Sequence, residues 1–197
     1  MLQDKIITTG YSAIDRLIDN FSKPNLVLIT TKNKSEFLFN ISKFISVSAK
    51  IPTMVFSLEF KKEDIIHDLL HFCAHIDNEK EIARNFDKKE WHNISNAIEI
   101  FKDISMVISD NTKNIDDIEN LAKKFHNEHN SKKKLIVIDN LQLIEINENL
   151  NSKSKIESII ARINALAENI DSTILLLTNH SHNDDDFISK NATWVCL

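Results

Sequence analysis

Residues 26–40 read LVLITTKNKSEFLFN. The first six are apolar or β-branched with no polar alternation, which predicts a strand buried on both faces. Phe37, Ile41, Phe44 and Ile45 then recur at the spacing of one helix face. A short polar turn, TTKNKS, joins the two. A strand that feeds a helix through such a turn is half of a βαβ unit, and parallel sheets are built by repeating it.

The repetition is visible in both directions along the chain. TMVFSL (53–58), ISMVI (104–108), LIVIDN (135–140), STILLLTN (172–179) and TWVCL (193–197) are further strand candidates. Between them lie helical stripes: Ile65, Leu69, Phe72 and Ile76; Trp91, Ile94, Ala97, Ile98 and Phe101; Ile115, Ile118, Leu121, Ala122 and Phe125. The longest is Ile156, Ile159, Ile160, Ile163, Leu166, Ala167 and Ile170. Apolar strands alternating with helices predict an α/β fold, a mostly parallel twisted sheet with helices on both faces. There is no repeat and no low-complexity linker, so residues 1–197 are expected to form one domain. The polar stretch EINENLNSKSK (145–155) is expected to be a loop.

The composition narrows the function classes. Apolar residues make up 42% of the 197 and charged residues 27%, ordinary for a globular chain. No apolar run reaches the roughly 20 residues of a membrane span, and MLQDKIITTG has neither the basic start nor the apolar stretch of a signal peptide. A cytoplasmic location with no membrane partner is the expectation. The net charge of −5 gives no general pull toward nucleic-acid phosphates, and the only arginines are Arg16, Arg84 and Arg162. Cys73 and Cys196 lack metal-site spacing and are expected to be reduced. The single glycine, Gly10, leaves few positions free to take a positive φ, with asparagine as the expected substitute.

In a parallel α/β sheet, ligands bind beyond the carboxyl ends of the strands. The polar residues found there are Lys34 and Ser35, Glu59, Asp139 and Asn179. A phosphate loop reads GxxxxGKS/T; its backbone N–H groups wrap the phosphates, its lysine meets the β/γ charge and its hydroxyl holds Mg²⁺. Lys34-Ser35 has the right context but neither glycine, and taken alone it also reads as a surface lysine beside a helix-start serine. Asp139 at a strand tip suits Mg²⁺, and equally a turn. Glu59 suits the orientation or deprotonation of a water, and equally a solvent-facing position. Asn179 suits a γ-phosphate sensor, and equally a turn. His180 and His182 could chelate a metal, although a solvated loop is the simpler reading, as it is for Asp184–Asp186. No Ser/His/Asp or Cys/His arrangement is evident.

In order and spacing these segments resemble the C-terminal ATPase domain of DnaB-type replicative helicases, in the RecA-like superfamily. TTGYSAIDRLI (8–18) resembles the family's TGF-x-x-LD lead into the first strand. VFSLEF (55–60) resembles its SLEM motif, and LIVIDNLQLIE (135–145) its IIDYLQLI signature. SIIARINALAENIDSTILLLTNHSHN (158–183) resembles the helix and sensor strand that end in SQLNR. EWHNISNA (90–97) and ISMVISDNTKNIDDI (104–118) follow the same pattern. The resemblance covers nearly the whole chain and implies a three-layer RecA-like fold. It implies that Glu59 stands at the catalytic carboxylate, here a vestigial base. Lys34, Ser35, Asp139, Gln142 and Asn179 would be the nucleotide-binding set, with Ser35 and Asp139 as the Mg²⁺ ligands.

The departures from the family pattern shape the expected activity. Asn33-Lys34-Ser35 falls on the family's Gly-Lys-Thr, with about three residues missing before it, and such a loop presents its N–H groups poorly to a triphosphate. Asn179 is one methylene shorter than the sensor glutamine. DDDFISKN (184–191) replaces DLRESG, a segment associated with DNA contact, and its aspartates would repel phosphate. The chain ends at Val195-Cys196-Leu197, where the family continues to an arginine that completes a neighbouring subunit's site; loss of such an arginine lowers related rates by about 10³–10⁵. No N-terminal helicase domain is expected to precede the fold. Together these imply a degenerate Walker A loop and a pseudoenzyme: a non-hydrolysing binding or regulatory module for DNA replication. No cofactor is then expected. A true replicative helicase or another replication protein is the expected partner, single-stranded DNA is not, and a monomer or dimer is expected in place of a hexamer. The alternative is a diverged but active domain of ATP-hydrolase/DNA-helicase type that takes ATP and Mg²⁺.

Overall fold

The structure is a computed structural model and describes residues 9–17, 25–76, 86–129, 133–148, 151–179 and 192–197. The elements in chain order are α1 (Ser12–Leu17), β1 (Asn25–Thr30), α2 (Lys34–Ile41) running into a π-helical turn (Ser42–Ser48), β2 (Thr53–Ser57), α3 (Lys62–Ala74) and α4 (Lys88–Lys102). There follow β3 (Met106–Ser109), α5 (Ile115–Glu128), β4 (Leu135–Asp139), a 3₁₀ turn (Leu141–Leu143), α6 (Ser152–Asn169), β5 (Thr173–Thr178) and β6 (Thr193–Cys196). The strands form one sheet in the order β3-β2-β4-β5-β1-β6, and every pairing is parallel.

The strand composition explains this order. β2, β4 and β5 are buried along their whole length and β1 along its central four residues, whereas β3 and β6 are only partly buried. A strand with side chains covered on both sides has to lie inside the sheet, and the shorter, wetter strands take the edges. Alternate side chains feed two cores. Leu26, Leu28, Ile136, Ile138, Ile174 and Leu176 face α5 and α6, and Val27, Ile29, Leu135, Val137, Leu175 and Leu177 face α1, α2 and α3. The expected three-layer α/β arrangement is therefore present.

The helix stripes of α5 and α6 are as expected: Ile118, Ala122 and Phe125, and Ile159, Ile160 and Ile163, are all buried. The stripe on α4 is different. Ala97 is buried, but Trp91 is 58% and Ile98 49% exposed. α4 packs mainly on α3, so it needs a narrow contact face: Ala97 and Ile94 meet Ala74 and Leu70 in a small separate cluster, while Phe101 packs against the core on the sheet. α3 ends at Ala74, so Ile76 is buried beyond the helix and not on its face. The 145–155 stretch is a loop only in part. Glu145 pairs with Asn114, and α6 begins at Ser152 with Asn151 capping it through Ser154 N–H.

Gly10, at φ +84°, lies against the Phe44 ring so closely that a Cβ would sit 2.5 Å from it. The other positive-φ residues described are Lys50, His75 and Asp171, and none is asparagine. His75 caps α3, and Lys50 and Asp171 each stand just past a helix end. In a chain with one glycine, the left-handed turn that ends a helix falls on whatever residue occupies that place. No helix among the described residues is long and apolar enough to cross a membrane.

Candidate functional site

β2, β4, β5 and β1 are consecutive in the sheet, so their carboxyl ends open onto one place. Only Thr31, Lys32 and Asn33 separate the end of β1 from the start of α2. Asn33 caps α2: its Oδ1 accepts from Glu36 N–H at 3.2 Å and from Ser35 Oγ at 3.1 Å, and its Nδ2 donates to Glu36 Oε2 at 2.9 Å. A carboxylate in the first turn suits the positive end of the helix dipole. The mouth of α2 thus already holds an anionic group of the chain itself, and the Ser35 hydroxyl points at Asn33.

Lys34, on the first turn of α2, reaches across to β2. Its Nζ lies 2.7 Å from Glu59 Oε2, with the lysine side chain 12% and the glutamate 42% exposed. Asn140 Nδ2 donates to the same oxygen at 2.9 Å. The Lys34 hydrogen bond holds the Glu59 carboxyl below its usual value, against the upward push of partial burial; Asn140 and the charge of Lys34 add to the lowering. Asp139 is fully buried next to them, and neither of its carboxylate oxygens has a hydrogen-bond partner. Burial pushes its carboxyl up to about 7, and the Glu59 charge adds to this. Lys34 pulls the other way, as does the Glu59 backbone amide. The site is therefore one cation, one ionised carboxylate and one buried carboxyl poised to hold a proton near neutrality.

Gln142 and Asn179 sit slightly apart from this triad. The Gln142 Nε2 donates to Thr178 Oγ1 at 2.9 Å, and its Oε1 accepts from Asn179 N–H at 3.2 Å. The side chain is a strut between the tip of β4 and the tip of β5. Asn140 was not among the residues singled out from sequence. It aligns with the tyrosine of IIDYLQLI, and its position before Leu141-Gln142-Leu143 is the available signal: an asparagine is favoured where its Oδ1 can cap the next turn, as it does on Gln142 N–H at 2.9 Å. Of the arginines, Arg162 is engaged by Glu119 at 2.7 Å and Asp116 at 2.6 Å on α5, far in sequence from the site. Arg84, His180, His182 and Asp184–Asp186 lie outside the described residues. Among the described residues no group of three or more His, Cys, Asp or Glu side chains is arranged to hold a metal ion.

A parallel sheet whose central strand tips gather a lysine from a helix mouth and carboxylates from two neighbouring strands defines a RecA-like α/β protein. The chain belongs to the family described as the DnaB-like helicase C terminal domain, which matches residues 6–187. It is 27% identical over 180 residues to the replicative DNA helicase DnaB of Nostoc sp., covering 89% of this chain and 20% of that protein. It is also 27% identical over 178 residues to the DnaB of Buchnera aphidicola subsp. Baizongia pistaciae, covering 87% of this chain and 38% of that one. The chain thus spans well under half of these relatives. Among solved structures, a DnaB-like replicative helicase characterised with its interactions with primase superposes with a TM-score of 0.77 at 22% identity, over 92% of this chain and 45% of that one. A KaiC-like protein from Pyrococcus horikoshii superposes with a TM-score of 0.54 at 19% identity, over 88% of this chain and 70% of that one.

Proposed function

We propose that this DnaB-like domain does not hydrolyse ATP and acts as a binding or regulatory module in DNA replication. The observation that carries the reading is the mouth of α2. A triphosphate bound there would displace the Glu36 carboxylate from the Asn33 cap, break the Lys34–Glu59 pair at 2.7 Å, and find only a three-residue turn without glycine to wrap it. The residues present do not fit a triphosphate. On this reading Lys34 is the counter-ion of Glu59, and Glu59 is a base without a water to serve.

A divalent cation by itself is a different matter. The two orphaned oxygens of Asp139, fully buried, suit Mg²⁺, with Glu59 beside them as a second carboxylate. Bound there, the ion would supply charge neutralisation. This favours, as a second reading, a diverged Mg²⁺-dependent ATPase that opens α2 on binding. Calorimetric titration of the full chain with ATP and with ADP, each with Mg²⁺, separates the two. The first reading expects no heat of binding up to millimolar nucleotide and no Mg²⁺-dependent phosphate release. Submillimolar binding abolished by Lys34→Ala would establish the second.

The partner is proposed to be a replication protein: a complete replicative helicase, or a primase of the kind that the DnaB-like structural neighbour engages. Single-stranded DNA is not proposed as a ligand, and the assembly is proposed to be a monomer or dimer.

A further inference from the structure

β3 forms one edge of the sheet, and its bonds to β2 fix which backbone groups it leaves over. Ser105 C=O accepts from Thr53 N–H at 2.9 Å, and Thr53 stands opposite Met106. In a parallel ladder every second residue turns both of its backbone groups to the same neighbour. Ser105, Val107 and Ser109 therefore serve β2, and Met106 and Ile108 turn their N–H and C=O groups outward. Among the described residues no strand pairs with that side. The strand, MVIS, has neither a charge nor a proline, two of the devices that keep sheet edges from pairing. Along the same edge Met106 and Ile108 line an apolar groove with Phe101, Ile104 and, from α3, Lys62 and Ile66; its volume is about 170 Å³. Ile66 at the lip is 42% exposed, and Val107, which alternation puts on the other face of the sheet, is 43% exposed. Unpaired backbone and an open apolar hollow thus meet on one edge.

We infer that the free edge of β3 takes up an extended peptide segment of a partner protein, which pairs with the strand, fills the groove with one bulky apolar side chain and meets Lys62 with an acidic residue two places away. Strand addition draws affinity from main-chain hydrogen bonds and specificity from pockets for alternate side chains. A cavity of roughly 150 Å³ holds a benzene ring, so the hollow is the size for one phenylalanine or leucine side chain. Lys62 is the one charged residue of the six around it. Its Nζ lies 3.9 Å from Glu63 Oε1, with the two side chains 49% and 68% exposed. A pair so open to water is worth little, and leaves the ammonium to a better-placed carboxylate. Lys62 N–H donates to Asp110 Oδ2 at 3.1 Å, which holds the lysine at the carboxyl end of β3. Side chains two apart on an extended segment share a face, so an acid there stands beside the apolar anchor. A second copy pairing through its own β3 is a poorer occupant, because its Met106 and Ile108 already pack against its own core and have nothing to put into the groove. None of these residues belongs to the nucleotide set, so the inference holds whether or not ATP is bound.

The probe is a capped nonapeptide, threonine throughout except for phenylalanine at its centre and aspartate two places to either side. An aspartate then falls near Lys62 in either strand direction. It is titrated into the full chain by calorimetry, with backbone amide exchange by NMR as a second measurement. The expected result is binding in the micromolar range, at least tenfold weaker when alanine replaces the phenylalanine and lost when alternate peptide amides are methylated. Lys62→Glu should weaken binding at least tenfold, and a peptide with lysines in place of the aspartates should restore it. That variant puts a carboxylate in the first turn of α3, where the helix dipole favours it, so it is expected to keep the wild-type circular dichroism spectrum. Trp91→Ala, at the other end of α4 from Phe101, should leave affinity within twofold. The Met106 and Ile108 amides should exchange at least tenfold more slowly in the complex. Binding no tighter than millimolar would overturn the inference. So would a loss in Lys62→Glu that the lysine peptide does not restore, or unchanged exchange at Met106 and Ile108. A dimer in sedimentation that the peptide does not dissociate would assign the edge to a second copy and overturn it as well.

Discussion

Asp139 concentrates the chemistry of the site in one side chain. A carboxyl that is fully buried and has no hydrogen-bond partner is disfavoured in its charged form, and the neighbouring Glu59 charge deepens this. Its value in the folded chain is pushed up to about 7 from an ordinary 3.8. The folded state therefore binds the proton more tightly than the unfolded chain. The stability this gives is complete below about pH 4 and is lost as the pH rises through 7. The span corresponds to a ceiling on the order of 4 kcal/mol. Asp139→Asn keeps the shape and removes the titration. Thermal unfolding should then show the variant gaining over the parent at pH 8 by much more than at pH 5; an equal gain at both would mean that the carboxyl is not the source. Glu59, held low by Lys34, acts in the opposite direction, its contribution present above its ordinary value and lost on acidification. At this scale the sequence was informative about which residues converge, because strand tips are easy to locate from apolar runs. It was silent on Asn140 and on the Asn33–Glu36 cap, because hydrogen bonding between small polar side chains leaves no periodic trace.

At the scale of the element, the helix ends carry the imprint of a chain with one glycine. Lys50, just past the π-helical turn, sits at φ 56°. A side chain there meets its own backbone at a penalty of roughly 1–2 kcal/mol, which glycine avoids. Lys50 is exposed, and its Asp103 partner is 3.5 Å away with both side chains mostly in water, a pair of small worth. Lys50→Gly should therefore stabilise the fold by roughly 0.5–1 kcal/mol in urea unfolding, part of the relief being offset by the added freedom of the unfolded chain. A destabilised variant would show that the ion pair matters more than the backbone. The positive-φ positions could not be read ahead because asparagine's tolerance of that region is a tendency of residues, whereas the requirement is set by where helices stop. The α4 stripe marked a helix, but Trp91 and Ile98 on it are exposed, for a related reason. Helical spacing reports that a face exists, but not whether a broad sheet or one narrow helix covers it.

For the molecule as a whole, the two-sided core was the most legible feature. Uninterrupted apolar strands have to be covered twice, and the helices to cover them were evident in the stripes of α5 and α6. Phe125 is among the largest side chains fully buried in the layer formed by those helices. Phe125→Ala should lower the unfolding free energy by about 3–5 kcal/mol, read as a lower urea midpoint at unchanged slope. A loss below 1 kcal/mol would mean that α5 closes over the gap.

The sheet order also bears on how the chain comes to be folded. Among the described residues β1 pairs with β5 and β6, so Asn25 finds its neighbour at Thr173 and Val27 at Thr193. A chain emerging from the ribosome makes LVLIT well before either of these neighbours. Until β5 is made this strand, apolar on both faces, has no lateral partner. The strand that anchors the lysine-bearing helix is thus also the segment most in need of chaperone cover during translation.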